Sequence, residues 1–140
     1  MERKIINTNK APLPIGAYNQ GIVTNGFIFT AGQVPIDPAT GNLIEGNFKK
    51  RVRQVMKNLN SILEGSGTNF SNVAKFTVFL TDMSNYAAVN DVFSEFINES
   101  HAPARSLVAV SALPAGTDIE IECIATVRQY LLLGLSLIHI

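Results

Sequence analysis

The chain has 140 residues, a length that predicts one domain with a substantial core, and its formal net charge of +0 excludes a bulk attraction for nucleic acid or anionic membranes. Its single cysteine excludes an intrachain disulfide, and the sequence shows no zinc-ligand spacing. Charged residues make up 16% of the chain, below the roughly 25% of typical soluble domains. We therefore expect part of the surface of the chain to be buried against other molecules.

The apolar patterns predict an α+β protein with the element order β-β-β-α-β-α-β-β. In chain order we expect strands at 4–6, 18–24 and 27–31, a helix at 47–64, a strand at 73–80, a helix at 84–98, and strands at 105–110 and 118–127. Asn25-Gly26 predicts a tight hairpin turn between the second and third strands. Gly65 is expected to end the first helix in a left-handed conformation, and Ser84 is expected to cap the second helix.

Two helices can cover only one face of such a sheet. Strands lie about 4.8 Å apart and packed helices about 10 Å apart, so two helices cover roughly four strands on one side. The segments 27–31 and 76–80 are nevertheless apolar on both faces. We therefore expect the second face to pack against other subunits.

The last twelve positions, 129–140, form an apolar tail that follows a complete sheet. The tail is too short to span a bilayer. We expect a single domain over residues 1–128 and a non-native or species-specific extension after it, with an extra interface strand as the alternative.

Arg105 is the most informative residue. It enters the apolar run 107–110, where a permanent positive charge needs an anionic partner. The next strand carries Glu120 and Glu122 on one face, and we expect the two strands to be neighbours. Two interpretations are open: an ion pair within the sheet, or a small-molecule site. In the second, Arg105 binds a ligand carboxylate through two hydrogen bonds and a glutamate handles water or a proton.

Other candidates have weaker support. Tyr18, at the start of a strand, either packs in the core or forms one wall of a ligand pocket, and Gly32-Gln33 forms a nearby turn or bulge. Cys123 is expected to be inert packing. The basic residues of the first helix indicate a solvated face more than an RNA patch. The N-terminal segment lacks an apolar signal core, so we expect a cytoplasmic protein, with the mitochondrion as the alternative.

Four motifs, together with the helix order, resemble the YjgF/Rid family of reactive-intermediate deaminases over about residues 4–128. They are Pro14-Ile15-Gly16-Ala17-Tyr18-Asn19-Gln20-Gly21, Ala31-Gly32-Gln33-Val34-Pro35, Ala102-Pro103-Ala104-Arg105-Ser106 and Ile119-Glu120-Ile121-Glu122-Cys123-Ile124-Ala125. The resemblance implies a chorismate-mutase-like fold assembled as a homotrimer, with sites in the clefts between subunits. It also implies hydrolysis of 2-imino or enamino acids, such as 2-iminobutanoate and 2-iminopropanoate, to 2-keto acids and ammonia, without a cofactor or a metal.

The resemblance also assigns roles to residues. Arg105 would hold the substrate carboxylate, Glu120 would orient or deprotonate the attacking water, and Tyr18 would line the pocket across the interface. A protonated imine is already electrophilic, so the protein needs to supply mainly orientation, a water molecule and electrostatic help.

Backbone groups near Gly32 and Leu107 would bond the imine or the carboxylate, and Asn90 would be a lesser pocket residue. The chain departs from the family pattern at two positions, Ala31 and Leu107, where many members have serine and cysteine. Loss of the hydroxyl at Ala31 would shift substrate preference or weaken binding, and loss of the cysteine at Leu107 would remove an oxidative or electrophile-sensitive switch. Neither departure touches Arg105 or Glu120. A non-catalytic trimeric module that binds small carboxylates or metabolic enzymes, and a translation inhibitor or ribonuclease, stay open as alternatives.

Overall fold

The computed structural model describes residues 2–128 and the backbone of residues 130–133 and 136–139. Its strands are β1 (Lys4–Ile6), β2 (Gly21–Thr24), β3 (Phe27–Thr30), β4 (Val73–Leu80), β5 (Ala104–Ala109), β6 (Ile119–Thr126), β7 (Tyr130–Leu133) and β8 (Ser136–His139), and its helices are α1 (Phe48–Gly65) and α2 (Tyr86–Phe96). The first eight elements follow the predicted order, which confirms the α+β class. No helix in the described part of the chain is long and apolar enough to cross a membrane.

The six-stranded sheet has the strand order β1-β2-β3-β6-β4-β5. The pair β4–β5 is parallel and is connected through α2, while the other neighbouring strands are antiparallel. Because a parallel pair needs a crossover, the chain returns from α2 to the free edge of β4 and leaves the other edge for β6. The expectation that the strand of Arg105 neighbours the strand of Glu120 is therefore wrong, because β4 lies between them.

One face of the sheet carries the core, since both helices pack on it. The inward residues of β6 are Ile119, Ile121, Cys123 and Ala125, and the helices contribute Val52, Val55, Met56, Leu59, Ile62, Leu63, Val89, Val92 and Phe93. The alternation along β6 explains this placement, because every second residue of a strand points to the same face. Burial raises the pKa of the Cys123 thiol to about 12, as inert packing requires.

The opposite face of the sheet carries exposed apolar side chains. Phe27 is 38% exposed, and Phe29 and Val108 are each 44% exposed. Phe29 lies opposite Ile124 in the register, so it shares the face that the helices do not cover. The sheet therefore has an apolar face that no element within residues 2–128 covers, as expected, and its burial by other subunits stays a prediction.

The turn between β2 and β3 is confirmed at Asn25 and Gly26, whose φ values of 51° and 79° fit the twisted two-residue hairpin. The expected end of the first helix is wrong. Gly65 is still helical, and Gly67, with φ of 84°, is the left-handed residue instead. The Ser66 backbone N–H and hydroxyl both donate to Leu63 O, at 3.0 and 2.8 Å, and close the helix there.

The expected start of the second helix is also wrong. Asp82 accepts a hydrogen bond from the Ser84 backbone N–H at 2.9 Å and caps a short 3-10 turn, so α2 begins only at Tyr86. At the other end, Asn98 caps a further 3-10 turn, so α2 ends at Phe96. In both cases the side-chain oxygen of an Asp or Asn residue accepts a hydrogen bond from a nearby backbone N–H. This local turn takes the place of a further turn of α-helix.

The tail contributes two strands. β7 and β8 pair antiparallel with each other in a two-stranded sheet. The predicted extension, 129–140, lies partly outside the described residues, so its native or non-native origin stays a prediction.

Candidate active site

Arg105 lies on edge strand β5 with its side chain beside α2. Its Nη2 donates to Asn90 Oδ1 at 2.7 Å. Its guanidinium carbon lies 5.1 Å from the ring centroid of Phe93 and 5.8 Å from that of Tyr86. Within residues 2–128, Arg105 has no carboxylate at ion-pair distance. The structure therefore contradicts the ion-pair interpretation, and the guanidinium is held by a neutral amide and two aromatic faces.

A cavity of about 330 Å³ opens next to Arg105. Its lining consists of Phe76, Asn90, Phe93, Ser94, Ile97, Glu99, Ala102, Pro103 and Arg105. Several of these residues are apolar, and Arg105 supplies a permanent positive charge at the wall. A cavity of this kind suits a small organic anion with an apolar part.

Glu120 lies in a second cavity of about 440 Å³, together with Tyr18 and Gly32. The rest of its lining is Pro12, Leu13, Ile15, Gln33, Val34, Ile36, Pro38, Gly41, Pro114 and Ala115. Gln33 is bridged to Ile121 by two backbone hydrogen bonds of 2.8 and 3.1 Å, which hold Gly32 against β6. The predicted residues Tyr18, Gly32 and Glu120 are thus brought together.

Gly32 makes room for Glu120. A methyl group at Gly32 would overlap Glu120 Oε2 and lie 2.8 Å from Glu120 Cδ, closer than side chains approach one another. The Glu120 side chain therefore packs directly over the Gly32 α-carbon. A larger residue at this position would displace the Glu120 carboxyl group from its present place.

The carboxyl group of Glu120 has an unusual environment. Burial raises its pKa, and the neighbouring Glu122 carboxylate raises the pKa further. A carboxylate of raised pKa is a stronger base, closer to what proton transfer near neutral pH requires.

Tyr18 is 50% exposed, so the core-packing interpretation is wrong. Its backbone N–H donates to Gly16 O at 2.9 Å, and its hydroxyl accepts from the Ile15 N–H at 3.4 Å. These contacts fold the loop before β2 on itself and leave the aromatic ring at the wall of the second cavity. The neighbouring Ile15 is 93% exposed, so this loop presents an apolar surface to its surroundings.

Two buried amides that the sequence analysis missed support the second cavity. Gln20, 1% exposed, accepts from the Thr8 N–H at 2.7 Å and donates to Pro12 O at 2.8 Å, which anchors the loop that carries Tyr18. Asn58, also 1% exposed, donates to Ile36 O at 2.9 Å. A polar residue on the apolar stripe of α1 was a usable signal for Asn58, and Gln20 stands in the first family motif, although its anchoring role was not predicted.

The six predicted site residues fall into two sets. Arg105 and Asn90 line the first cavity, and Leu107 faces the same side of the sheet, opposite Val78, and packs against the core. Tyr18, Gly32 and Glu120 line the second cavity. In the register, Arg105 lies opposite Phe76 and Glu120 lies opposite Phe79, so their side chains point to opposite faces. A single chain does not bring the two sets together.

A family model described as Endoribonuclease L-PSP matches residues 8–127. This chain belongs to the YjgF/Rid family. The resemblance drawn from the four motifs is thereby confirmed. This chain is 40% identical over 133 residues to the 2-iminobutanoate/2-iminopropanoate deaminase of Rattus norvegicus. The alignment covers 95% of this chain and 96% of the relative.

Solved structures support the same assignment. A Rid family protein from Yersinia pestis, described as of unknown function, matches the Rid chain with a TM-score of 0.87 and 43% identity, covering 90% of this chain and 100% of that one. TdcF of E. coli, solved with bound serine, matches with a TM-score of 0.82 and 37% identity, covering 88% of this chain and 98% of that one. The predicted YjgF fold is confirmed.

Proposed function

We propose that this protein hydrolyses reactive 2-imino and enamino acids, such as 2-iminobutanoate and 2-iminopropanoate, to 2-keto acids and ammonia. The observation that carries the proposal is the Arg105 guanidinium, held by Asn90 and aromatic rings with no carboxylate partner within residues 2–128. Such a group is ready for the carboxylate of an incoming acid. The deaminase name of the rat relative and the serine bound to TdcF support a ligand of the amino acid type.

The chemistry needs one water molecule and one base. With Arg105 holding the substrate carboxylate, the protonated imine carbon is electrophilic. Water adds to that carbon as Glu120 accepts a proton, which forms a C–O bond and converts the imine to a carbinolamine. Glu120 returns this proton to the nitrogen, and it then takes the hydroxyl proton as the C–N bond breaks and the C=O bond forms. Ammonia leaves the 2-keto acid, and the proton left on Glu120 passes to ammonia or to solvent. The raised pKa of Glu120 suits the proton transfers, and Tyr18 forms a wall of the cavity in which they take place.

We also propose that the working site forms between copies of the chain, in a homotrimer. Two observations support this. The Arg105 and Glu120 side chains lie on opposite faces of one sheet, and the uncovered face exposes Phe27, Phe29 and Val108. An interface that covers this face and also reaches the edge strand β5 would bury these side chains and let one copy supply Arg105 and another Glu120. Sedimentation equilibrium measures the mass, and a monomer at micromolar concentration would contradict the proposal.

The deciding experiment generates 2-iminobutanoate in situ with threonine dehydratase and follows the release of ammonia or 2-ketobutyrate. The wild type should accelerate release over free hydrolysis, and Arg105→Ala should lose the acceleration. Arg53→Ala is the matched control, because Arg53 is an exposed arginine paired with Glu95 at 2.8 Å. No acceleration by the wild type, or equal rates for Arg105→Ala and the wild type, would refute the hydrolase.

The main alternative is a non-catalytic module that binds small carboxylates or metabolic enzymes. Such a module needs Arg105 to bind its ligand and does not need Glu120 as a base. Glu120→Gln separates the two functions, because it keeps the shape of the side chain and removes its basicity. A hydrolase loses turnover and retains affinity for a 2-keto acid, whereas a binding module has no turnover to lose.

A ribonuclease or translation inhibitor is favoured only by descriptions, that of the family model and those of some similar solved structures. Two basic residues of α1 have acidic partners within the chain, since Lys49 pairs with Asp91 at 3.0 Å and Arg53 pairs with Glu95, and this weakens the case for RNA binding. RNA affinity that falls steeply with salt would revive this function. For location we propose the cytoplasm, with the mitochondrion as the alternative, and cell fractionation decides between them.

A further inference from the structure

The cavity beside Arg105 has an apolar wall that the reaction itself does not use. Phe76 is fully buried and Phe93 is 6% exposed, and their rings meet nearly edge to face at 5.1 Å. Phe70 packs on Phe76 at 5.9 Å and on Phe96 at 5.9 Å, which adds a second layer behind the wall. Rings fixed in this way keep their positions, so the cavity is preformed rather than opened by a ligand.

The polar groups of the cavity are arranged unevenly. Arg105 supplies a permanent positive charge, and Asn90 already occupies one of its nitrogens. Ile97 and Pro103 continue the apolar lining away from the guanidinium. Within residues 2–128, Glu99 is the only carboxylate that lines this cavity. The lining therefore accepts one negative charge at Arg105, accepts an apolar group beyond it, and disfavours a second negative charge.

The geometry of a 2-imino acid fits this arrangement. Its carboxylate and its side chain are both bonded to the same imine carbon, so the side chain begins only two bonds from a carboxylate carbon held by Arg105. A cavity that shares Arg105 with the carboxylate site lies within reach of that side chain. Its volume of about 330 Å³ is within the range of small-molecule sites.

We propose that the cavity lined by Phe76, Phe93, Ile97 and Pro103 receives the substrate side chain, so that the protein favours monocarboxylic 2-imino acids with branched aliphatic or aromatic side chains and rejects dicarboxylic ones. The inference rests on the proposed function, because it assigns a specificity to the same Arg105 site. It differs from that function in naming the residues that discriminate among substrates. Each apolar group by which one substrate exceeds another in such a pocket favours the larger substrate by about 10-fold or more.

The experiment measures the binding of stable 2-keto acids by calorimetry, which does not depend on turnover. The probes are pyruvate, 4-methyl-2-oxopentanoate, phenylpyruvate and 2-oxoglutarate. We expect the wild type to bind phenylpyruvate and 4-methyl-2-oxopentanoate at least about 10-fold more tightly than pyruvate, and 2-oxoglutarate more weakly than pyruvate.

Two variants fill the cavity from its exposed rim. Ala102→Phe adds a ring from the loop before β5, and Ser94→Leu adds bulk from α2. Each should reduce the advantage of phenylpyruvate over pyruvate to less than about 2-fold. Ala87→Phe is the matched control, since Ala87 is exposed on α2 and does not line the cavity. Glu99→Gln should bring 2-oxoglutarate to the affinity of pyruvate.

Equal affinities of the wild type for pyruvate and phenylpyruvate would overturn the inference, as would an advantage for phenylpyruvate that survives both filling variants. Absence of binding by every 2-keto acid overturns it as well. Failure of the proposed function gives a different pattern, in which the 2-keto acids bind with the expected preference but imine hydrolysis is not accelerated.

Discussion

Asn90→Asp tests whether the Arg105 charge must stay uncompensated. The substitution exchanges the amide oxygen that accepts from Arg105 Nη2 at 2.7 Å for a carboxylate oxygen of nearly the same shape. The new carboxylate is a counter-ion for Arg105, and it repels any second carboxylate that approaches the same guanidinium. We therefore expect weaker binding of 2-keto acids without a change in fold.

The size of the effect follows from the distances. A ligand carboxylate on Arg105 would lie about 5 Å from the carboxylate at position 90, since both contact one guanidinium. Two unit charges at that distance repel by about 0.8 kcal/mol in water and about 3 kcal/mol at an effective permittivity of about 20. Because Asn90 is exposed and Arg105 half-buried, we expect about 1–2 kcal/mol, which corresponds to about 5- to 30-fold weaker binding.

The assay is calorimetric titration with 2-ketobutyrate, together with KM and kcat for 2-iminobutanoate. Asn90→Ala removes the hydrogen bond alone and should weaken binding only about 2- to 10-fold. Asn9→Asp makes the same chemical change at an exposed turn and should have no effect. Added salt should shrink the effect of Asn90→Asp, because it screens charges near the surface. If Asn90→Asp binds as tightly as Asn90→Ala at low salt, the charge argument is refuted.

Further outcomes follow from the second cavity and the open face. Gly32→Ala should lower kcat about 100-fold with unchanged circular dichroism, because its methyl group displaces the Glu120 carboxylate, and wild-type activity would contradict this placement. Glu122→Gln should lower the pKa of Glu120 and move the acid limb of kcat/KM to lower pH, whereas an unmoved limb would count against the coupling. A raised carboxyl pKa favours the folded protein below the unfolded pKa, and this stabilisation is lost as the pH rises through the folded pKa. The free energy of unfolding, measured by denaturation at pH 4 and at pH 7, should therefore fall less between these pH values for Glu120→Gln than for the wild type. Equal changes in the two proteins would exclude this contribution. Phe29→Glu should dissociate the proposed trimer, and an unchanged sedimentation mass would exclude this face from the interface.

Much of the fold was predictable because its signals are local. The alternation of apolar residues along β6 and the apolar stripe along α1 each indicate which face is buried. Asn25-Gly26 indicates a turn because both residues readily adopt a positive φ. The errors at Gly65 and Ser84 are also local. They arise where a neighbouring hydrogen bond, from Ser66 or to Asp82, competes with the cap that the sequence suggests.

The strand order was not predictable from these local signals. Consecutive strands are often neighbours, and that tendency places β5 next to β6. The actual order follows from the crossover through α2, which puts β5 at the edge and lets β6 pair with β4 and β3. The same error made Arg105 and Glu120 neighbours in the sequence analysis. The motif residues were identified in advance, but their division between two faces depends on pairing that no single segment encodes.

This division has a chemical consequence for the proposed reaction. If Arg105 and Glu120 faced each other within one chain, they would form an ion pair, the guanidinium would lose its free charge and the pKa of the carboxyl group would fall. On opposite faces each keeps the property that the reaction needs: Arg105 is held by the neutral Asn90, and burial raises the pKa of Glu120. In the proposed assembly the two groups meet only across an interface, where a substrate carboxylate occupies Arg105 and separates it from the base. Assembly and substrate binding are then coupled. We therefore expect 2-ketobutyrate to stabilise the oligomer against dissociation on dilution, and a dissociation constant independent of 2-ketobutyrate would contradict a site shared between copies.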